Sequence, residues 1–286
     1  MCYGEVFRKM RIEKKMTIVT VAKGILSIAQ LSKFERGESN LSITKFGQLL
    51  ERINITVEEF EFLSSNYKNS SLKQLVIDIK QAYTNRDPEK MIALADEEFK
   101  KWELSGNKNS QYNYIMISIM NDELNDLKKT QTCEVELLID YLFSIEDWTY
   151  YEIVLFGNSI SAMPIQTIIV LSEELFYKTK TFHTNDKHLK LVLRILLNAS
   201  LICLLSDENA KSLHFQTYIS ELINSETYLY EKNLLMFSHG LYLLKTNHIS
   251  EGIKKVETAL EICRVLNSHK LVESYSTYYH EIMATL

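Results

Sequence analysis

Three side chains near the start of the chain have the types and spacing to read and grip a nucleic acid. Gln30, Lys33 and Arg36 recur every third residue, so on a helix they share a face carrying an amide, an ammonium and a guanidinium. An amide can hydrogen-bond a base edge, and the two cations can bond guanine or neutralise phosphate. That chemistry is contact with the major groove of DNA.

The stretch that must position them reads Ser27-Ile-Ala-Gln-Leu-Ser-Lys-Phe-Glu-Arg-Gly37. Ser27 can cap the helix, because its hydroxyl accepts from an otherwise orphaned backbone N–H. Leu31 and Phe34, with Ile28 before them, form an apolar stripe at helical spacing, and Gly37 ends the helix where a positive φ costs little. Short helices are expected around it. The first covers 4–15, with Val6, Phe7 and Met10 inward and Ile12 as a further candidate, and the second covers 17–23. A fourth begins at Ser42 or Thr44, and a fifth, capped by Thr56, turns Val57, Phe60 and Leu63 inward. Five short helices with a tight turn between the second and third match a helix-turn-helix bundle.

Charge supports that division. Residues 1–50 hold nine Lys/Arg against four Glu, a local excess of +5, although the whole chain carries −5 and the remaining 236 residues therefore −10. A basic head on an acidic body confines any DNA contact to one end. Cysteines at 2, 133, 203 and 263 lack zinc-finger spacing and disulfide density, which suggests free thiols in a reducing cytoplasm. No leader pattern opens the chain. The most apolar windows, 153–171 and 189–205, are interrupted by Gly157, Asn158 and Pro164 or contain Lys190 and Arg194, so no membrane span is expected. The seven histidines are scattered, and HExxH, GxSxG and the phosphate-binding GxxxxGK[ST] pattern are absent. The expectation is a non-enzyme with no metal and no cofactor.

The head resembles the phage-repressor (XRE) class of helix-turn-helix through Ser27-Ile-Ala-Gln-Leu-Ser-Lys-Phe-Glu-Arg-Gly-Glu38 and Ile55-Thr-Val-Glu-Glu-Phe60. The resemblance implies that Glu35 pairs with an arginine of the first helix, here Arg11, and that the capping Ser27 opens the DNA-facing helix. Ile28, Ala29, Gln30 and Lys33 are then the candidates for base contact. The first two can meet only thymine methyls, leaving hydrogen-bond readout to Gln30 and Lys33. Arg36, Ser39, Asn40, Thr44 and Lys45 are placed for phosphates, which carry no sequence information directly.

Residues 64–71 are polar and aperiodic, so the domain boundaries are 1–64 for the head, 65–71 for a linker and 72–286 for the body. The body reads as eleven helices over 72–84, 88–104, 109–124, 132–145, 147–158, 165–182, 187–205, 208–224, 228–246, 250–266 and 270–284. Similar lengths and short connections suggest an all-α, TPR-like α-solenoid. Leu234 to Val265 sets Gly240, Tyr242, Asn247, Gly252 and Ala259 much as a tetratricopeptide repeat sets its small, aromatic and turn residues.

The string Tyr141-Leu-Phe-Ser-Ile-Glu-Asp-Trp-Thr-Tyr-Tyr-Glu-Ile-Val-Leu-Phe-Gly-Asn158, the head ending Phe34-Glu-Arg-Gly-Glu-Ser39, and Tyr230-Glu-Lys232 together resemble the Rgg (GadR/MutR) regulators of Gram-positive bacteria. That resemblance implies a homodimeric, cytoplasmic transcription factor acting in quorum sensing. Its palindromic double-stranded DNA site follows from two-fold symmetry, and its helical-repeat body holds a short, mostly hydrophobic signalling peptide on a concave face. An extended peptide in such a groove leaves N–H and C=O groups that asparagine amides can satisfy at both ends. The matching positions are Asn158 and Asn198, with Tyr230 lining the same groove. Ser161 stands where members that bind an acidic peptide have arginine, so a more neutral ligand is expected. Some members carry a dimer-bridging cysteine after the DNA-facing helix; this chain has Ile43 in that region, beside Leu41, so apolar packing is the available substitute. The acidic body leaves RNA polymerase open as a partner. The alternative is a helical-repeat scaffold that binds a protein and uses DNA only as an anchor, and it would need a long or folded ligand rather than a short peptide.

Overall fold

A computed structural model describes residues 2–65, 71–125, 127, 129–179, 186–223 and 225–285. Every regular element among them is helical. The chain separates into two units, Met1–Gln81 and Ala82–Leu286. Most of the 65–71 stretch expected as a linker, residues 66–70, lies outside the described residues.

The first unit contains α1 (Tyr3–Glu13), α2 (Ile18–Ala22), α3 (Ile28–Glu35), α4 (Ile43–Arg52), α5 (Val57–Ser64) and the greater part of α6 (Ser71–Thr84). Thr17, Ser27, Ser42 and Thr56 cap α2 to α5, each accepting from a backbone N–H three residues on. Glu59 returns a bond to the Thr56 N–H, completing a capping box. The core is Val6, Phe7, Met10, Val21, Leu31, Phe34, Leu49, Leu50, Ile53 and Phe60. Phe46 joins Phe60 edge-on at 4.9 Å between ring centroids. Two expectations are corrected. Ile12, 53% exposed, lies two residues past Met10 and so rotates off the inner face, while Val57, 55% exposed, begins α5 beyond the edge of the core.

Gly4 makes the head possible at one point: a Cβ there would overlap the Phe34 carbonyl oxygen, because α1 crosses the end of α3 at backbone distance. Gly37 takes φ +75 after α3, and the next N–H, of Glu38, donates to the Lys33 carbonyl at 2.9 Å. The helix therefore ends in a left-handed turn that satisfies its last carbonyls.

The second unit holds α7 (Pro88–Ser105), α8 (Lys108–Leu124), α9 (Thr132–Ser144), α10 (Tyr150–Ser159), a 3-10 turn (Ile160–Ala162) and α11 (Ile165–Lys178). Then follow α12 (Asp186–Leu205), α13 (Asn209–Leu222), a 3-10 turn (Glu226–Tyr228), α14 (Leu229–Lys245), α15 (Ile249–Val265) and α16 (His269–Met283). The same turn recurs four times, with Arg86, Asp207, Asn247 and Asn267 at positive φ. In each, the following N–H donates to the carbonyl five residues back. Helices pair along the chain, α7 with α8, α12 with α13 and α14 with α15, while α8, α10, α12, α14 and α16 touch in series. That alternation is the stacking of a repeat solenoid. Gly240 and Gly252 let α14 and α15 meet closely, since a Cβ on Gly240 would lie 3.1 Å from the Gly252 oxygen. α12 is long and apolar enough to cross a membrane by length and composition, but it is the helix against which α10, α11, α13 and α14 pack.

Candidate DNA- and peptide-binding sites

The DNA-facing candidate is α3 and the turn that delivers it. Ser27 Oγ accepts from the Gln30 N–H at 3.1 Å, so its hydroxyl is engaged in fixing the helix start. Leu31 and Phe34 are buried, and Ile28, expected to begin the same stripe, is 48% exposed. It therefore belongs to the outer face with Ala29 and Lys33, while Gln30 is half-buried. No protein hydrogen bond is made by the side chains of Gln30 or Lys33 among the described residues, so their donors are free for a ligand.

Arg36 differs. Its guanidinium holds both Glu38 oxygens, at 2.6 and 2.7 Å, and donates to Ser32 Oγ at 2.6 Å. Glu38 holds the Arg36 pKa above its ordinary value, and Arg36 holds the Glu38 carboxyl below its own. Three of its five N–H donors are thus engaged and its charge is paired, so a phosphate competes with Glu38 for Arg36. Asn40 and Thr44 are exposed and Lys45 is half-buried, all beside the start of α4. Ser39, expected to face a phosphate, instead has a buried hydroxyl without a hydrogen bond. Ile43 is 87% exposed, and Leu41 packs partly against the core.

Two arginines hold this surface in place. Arg11 forms a fork on Glu35 at 2.6 and 2.8 Å and donates to the Met16 carbonyl at 2.7 Å, joining α1, α3 and the turn before α2. Both side chains are nearly buried, and the carboxylate raises the Arg11 pKa. The pairing of Glu35 with Arg11 is therefore as the sequence implied. Arg52, which sequence reading missed, reaches from the end of α4 to the Thr20, Val21 and Lys23 carbonyls. It satisfies the orphan carbonyls of the short α2 and so fixes the turn into α3. Its only sequence signal is a cation in a helix's last turn.

In the second unit, Asn158 lies near the end of α10, half-buried, with Nδ2 donating to the Val154 carbonyl at 2.8 Å. One of its two donors is thus committed within its own helix. The helix is fastened by residues of the Tyr141–Asn158 string. Thr149 and Glu152 form a capping box, and Tyr141 donates to the other Glu152 oxygen at 2.7 Å. Burial and that carboxylate push the Tyr141 phenol well above its ordinary range. Trp148 is wholly buried, with Nε1 on the Leu142 carbonyl at 3.2 Å. α10 then lies so near α12 that a Cβ on Gly157 would stand 2.8 Å from Ile195.

Asn198 sits on α12, half-buried among apolar neighbours, and its amide has no hydrogen-bond partner among the described residues. Arg194, one turn earlier on the same face, was not among the expected site residues. Its Nε donates to the buried Glu231 at 3.1 Å, and its guanidinium lies 4.9 Å from the centre of the Tyr230 ring. Tyr230, 39% exposed, thereby lies within cation–π distance of a guanidinium. Asn198 and Tyr230 belong to neighbouring helices, α12 and α14, and Asn158 to the next in the series, α10.

Ser161 belongs to a different recess. In the 3-10 turn after α10 its hydroxyl donates to Glu123 at 3.1 Å, in a cleft of about 750 Å³ lined also by Asp122, Glu136, Ile119, Val135 and Pro164. Asp122 is committed through one oxygen to Lys129 N–H, Thr130 N–H and Thr130 Oγ1. Among the described residues no group of three or more His, Cys, Asp or Glu could hold a metal ion.

Family models match both units. "HTH-type transcriptional regulator Rgg, C-terminal domain" covers residues 92–277, and "Helix-turn-helix" covers 7–60. The structure is similar to the Streptococcus dysgalactiae SHP pheromone receptor Rgg2, at 29% identity and a TM-score of 0.85, over 98% of this chain and 99% of that one. A solved structure from Listeria monocytogenes EGD-e aligns over 99% and 97% of the two chains, with 19% identity and a TM-score of 0.86. The PrgX/iCF10 complex aligns over 99% and 96%, with 15% identity and a TM-score of 0.70. These last two are likenesses of fold.

Proposed function

The chain belongs to the Rgg family of HTH-type transcriptional regulators, and from this we propose that a short, mostly hydrophobic signalling peptide controls its action on DNA. The peptide lies on the face shared by α10, α12 and α14. Asn158 and Asn198 bond its backbone, and Tyr230 packs on an apolar side chain. The observation that supports this reading is the half-buried Asn198 amide, which has no protein hydrogen bond among the described residues, on an apolar helix whose Arg194, one turn earlier, lies over Tyr230. A peptide unit supplies such an amide with both a donor and an acceptor. The similar Rgg2 is described as a pheromone receptor, which agrees. Ser161, bonded to Glu123 in the recess after α10, supplies no cation for an acidic peptide residue, so a more neutral ligand is the better fit.

In the head, Gln30 and Lys33 read bases, Ile28 and Ala29 meet thymine methyls, and Ser27, Asn40, Thr44 and Lys45 hold phosphates, with Arg36 joining once Glu38 is displaced. The protein acts in the cytoplasm as a homodimer on a palindromic site, Ile43 and Leu41 contributing apolar contact between heads. The acidic body is left to contact RNA polymerase. The peptide acts by binding one arrangement of the dimer more tightly than another, since equal affinity would shift nothing.

The test is fluorescence anisotropy of full-length protein on DNA from upstream of its own gene, with salt titrated and short synthetic peptides encoded nearby added, alongside promoter output in cells. Saturable, salt-sensitive binding to one palindrome, altered in affinity or output by one peptide, is expected, with the peptide concentration at half effect raised roughly 2- to 10-fold in Asn198→Ala. An unchanged half-effect concentration in Asn198→Ala moves the ligand off this face. Specific DNA binding that no short peptide alters refutes the peptide reading and leaves the regulator.

A further inference from the structure

A second recess in the body lies away from the peptide face. α13, α14 and α15 enclose a cleft of about 360 Å³, with Lys232, His239 and Lys255 as its ionisable groups and Leu213, Leu235 and Met236 as apolar walls. Lys232, Met236 and His239 share one side of α14. Nine residues separate His239 from Tyr230, which at 100° per residue places them on opposite sides of the helix. No carboxylate pairs with Lys232 or Lys255 among the described residues, although the chain is acidic overall.

The histidine is oriented by a buried network. Gln216, 4% exposed, brings Nε2 to the Ser238 carbonyl at 3.4 Å and to the hydroxyls of Ser200, Ser212 and Ser238 at 3.2 Å. A carbonyl can only accept, so that end of the amide is the donor and its oxygen faces His239 Nδ1 at 3.0 Å. Nδ1 must therefore carry the proton, which leaves Nε2 as the titrating atom. Burial and then the Lys255 charge lower the His239 pKa, with Glu251 opposing them weakly. In the absence of a counter-anion the ring thus stays neutral near Lys255, and an anion would reverse that balance.

We infer that this cleft is a binding site for a small organic anion, a carboxylate or phosphate bearing an apolar portion. The anion lies between the Lys232 and Lys255 ammonium groups and the Nε2–H of an imidazolium, and its apolar part lies on Leu213, Leu235 and Met236. Thr217 and Ser220 hydroxyls donate to carbonyls of their own helix, so the charged groups supply the selectivity. The site stands apart from the peptide reading and does not depend on it. Its network joins α12, which carries Asn198, to α14, which carries Tyr230, so an anion would brace the junction between those two helices.

The measurement is the titration of the His239 Cε1–H resonance in full-length, 13C-histidine-labelled protein, assigned by its loss in His239→Gln. Phenyl phosphate and phthalate serve as probes, with ionic strength held constant by chloride. A saturable shift, with the His239 pKa raised by about one unit, is expected for at least one probe and is lost in the folded Lys232→Gln/Lys255→Gln variant. Response to phenyl phosphate alone marks a phosphorylated ligand, and response to phthalate a carboxylate. No saturable shift with either probe, or an undiminished shift in the double variant, overturns the site.

Discussion

The polar side chains proposed to meet a ligand are arranged by opposite means in the head and in the body. In the head, the candidate residues fall between Ser27 and Lys45, one helix and the start of the next, and the proposed readers Gln30 and Lys33 make no side-chain hydrogen bond to protein among the described residues. In the body, Asn158, Asn198 and Tyr230 come from three helices, and two of them already have protein partners, Asn158 on the Val154 carbonyl and Tyr230 under Arg194. A surface that meets a rigid duplex can be built from one stiff local element. The surface proposed for a peptide is instead assembled from three helices, with two of its three side chains already held by protein partners.

If that contrast is right, damage to the two regions should separate. The largest effect is expected from Glu35→Ala, which leaves Arg11 buried without its carboxylate and should cost the head about 3–5 kcal/mol. Hydrogen exchange should then show α1 to α5 losing protection while α12 and α14 keep theirs. Equal loss in both would mean that the units do not fold separately. Gly4→Ala should act similarly but less, by about 1–3 kcal/mol, because α1 must retreat from the Phe34 carbonyl; a shift of the head's melting transition measures it. Lys33→Ala removes a base reader with no structural duty, so about 1–3 kcal/mol of discrimination at one half-site position should vanish, with the melting temperature unchanged. A selection experiment on randomised half-sites reads this directly, and unchanged preference would move readout elsewhere. Asn198→Ala should weaken the peptide by about 0.5–1.5 kcal/mol in calorimetry without altering peptide-free DNA binding. The smallest effect is expected from Lys45→Ala, which should lower affinity evenly across sequences and reduce the salt slope by about one.

The fold was widely legible. Hydrophobic spacing and turn residues located the eleven helices expected from residue 72 onward within a few residues, because each needs a continuous apolar stripe and ends at a break such as Gly106, Asp207 or Asn247, although most of the first of them, α6, falls in the first unit. The fifth of them starts at Tyr150 rather than 147, since Thr149 and Glu152 close a capping box that excludes Trp148 into the core. In the string that most resembled a known family, Tyr141, Trp148 and Glu152 fasten the start of α10. Arg52, Arg194 and Glu123 were not legible, because each is an ordinary charged residue until a distant partner is brought to it.

Sequence by itself determined the helices, their caps, and the basic head and acidic body, since all of these depend on neighbours within a few positions. Tertiary structure decided the rest: that Arg36 pairs with Glu38, that the Ser39 hydroxyl is buried, that Ser161 opens onto an acidic cleft, and that His239 lines a cleft with Lys232 and Lys255. Charge and hydrogen bonding act over a few ångströms of space, and residues that meet there can stand forty positions apart in the chain.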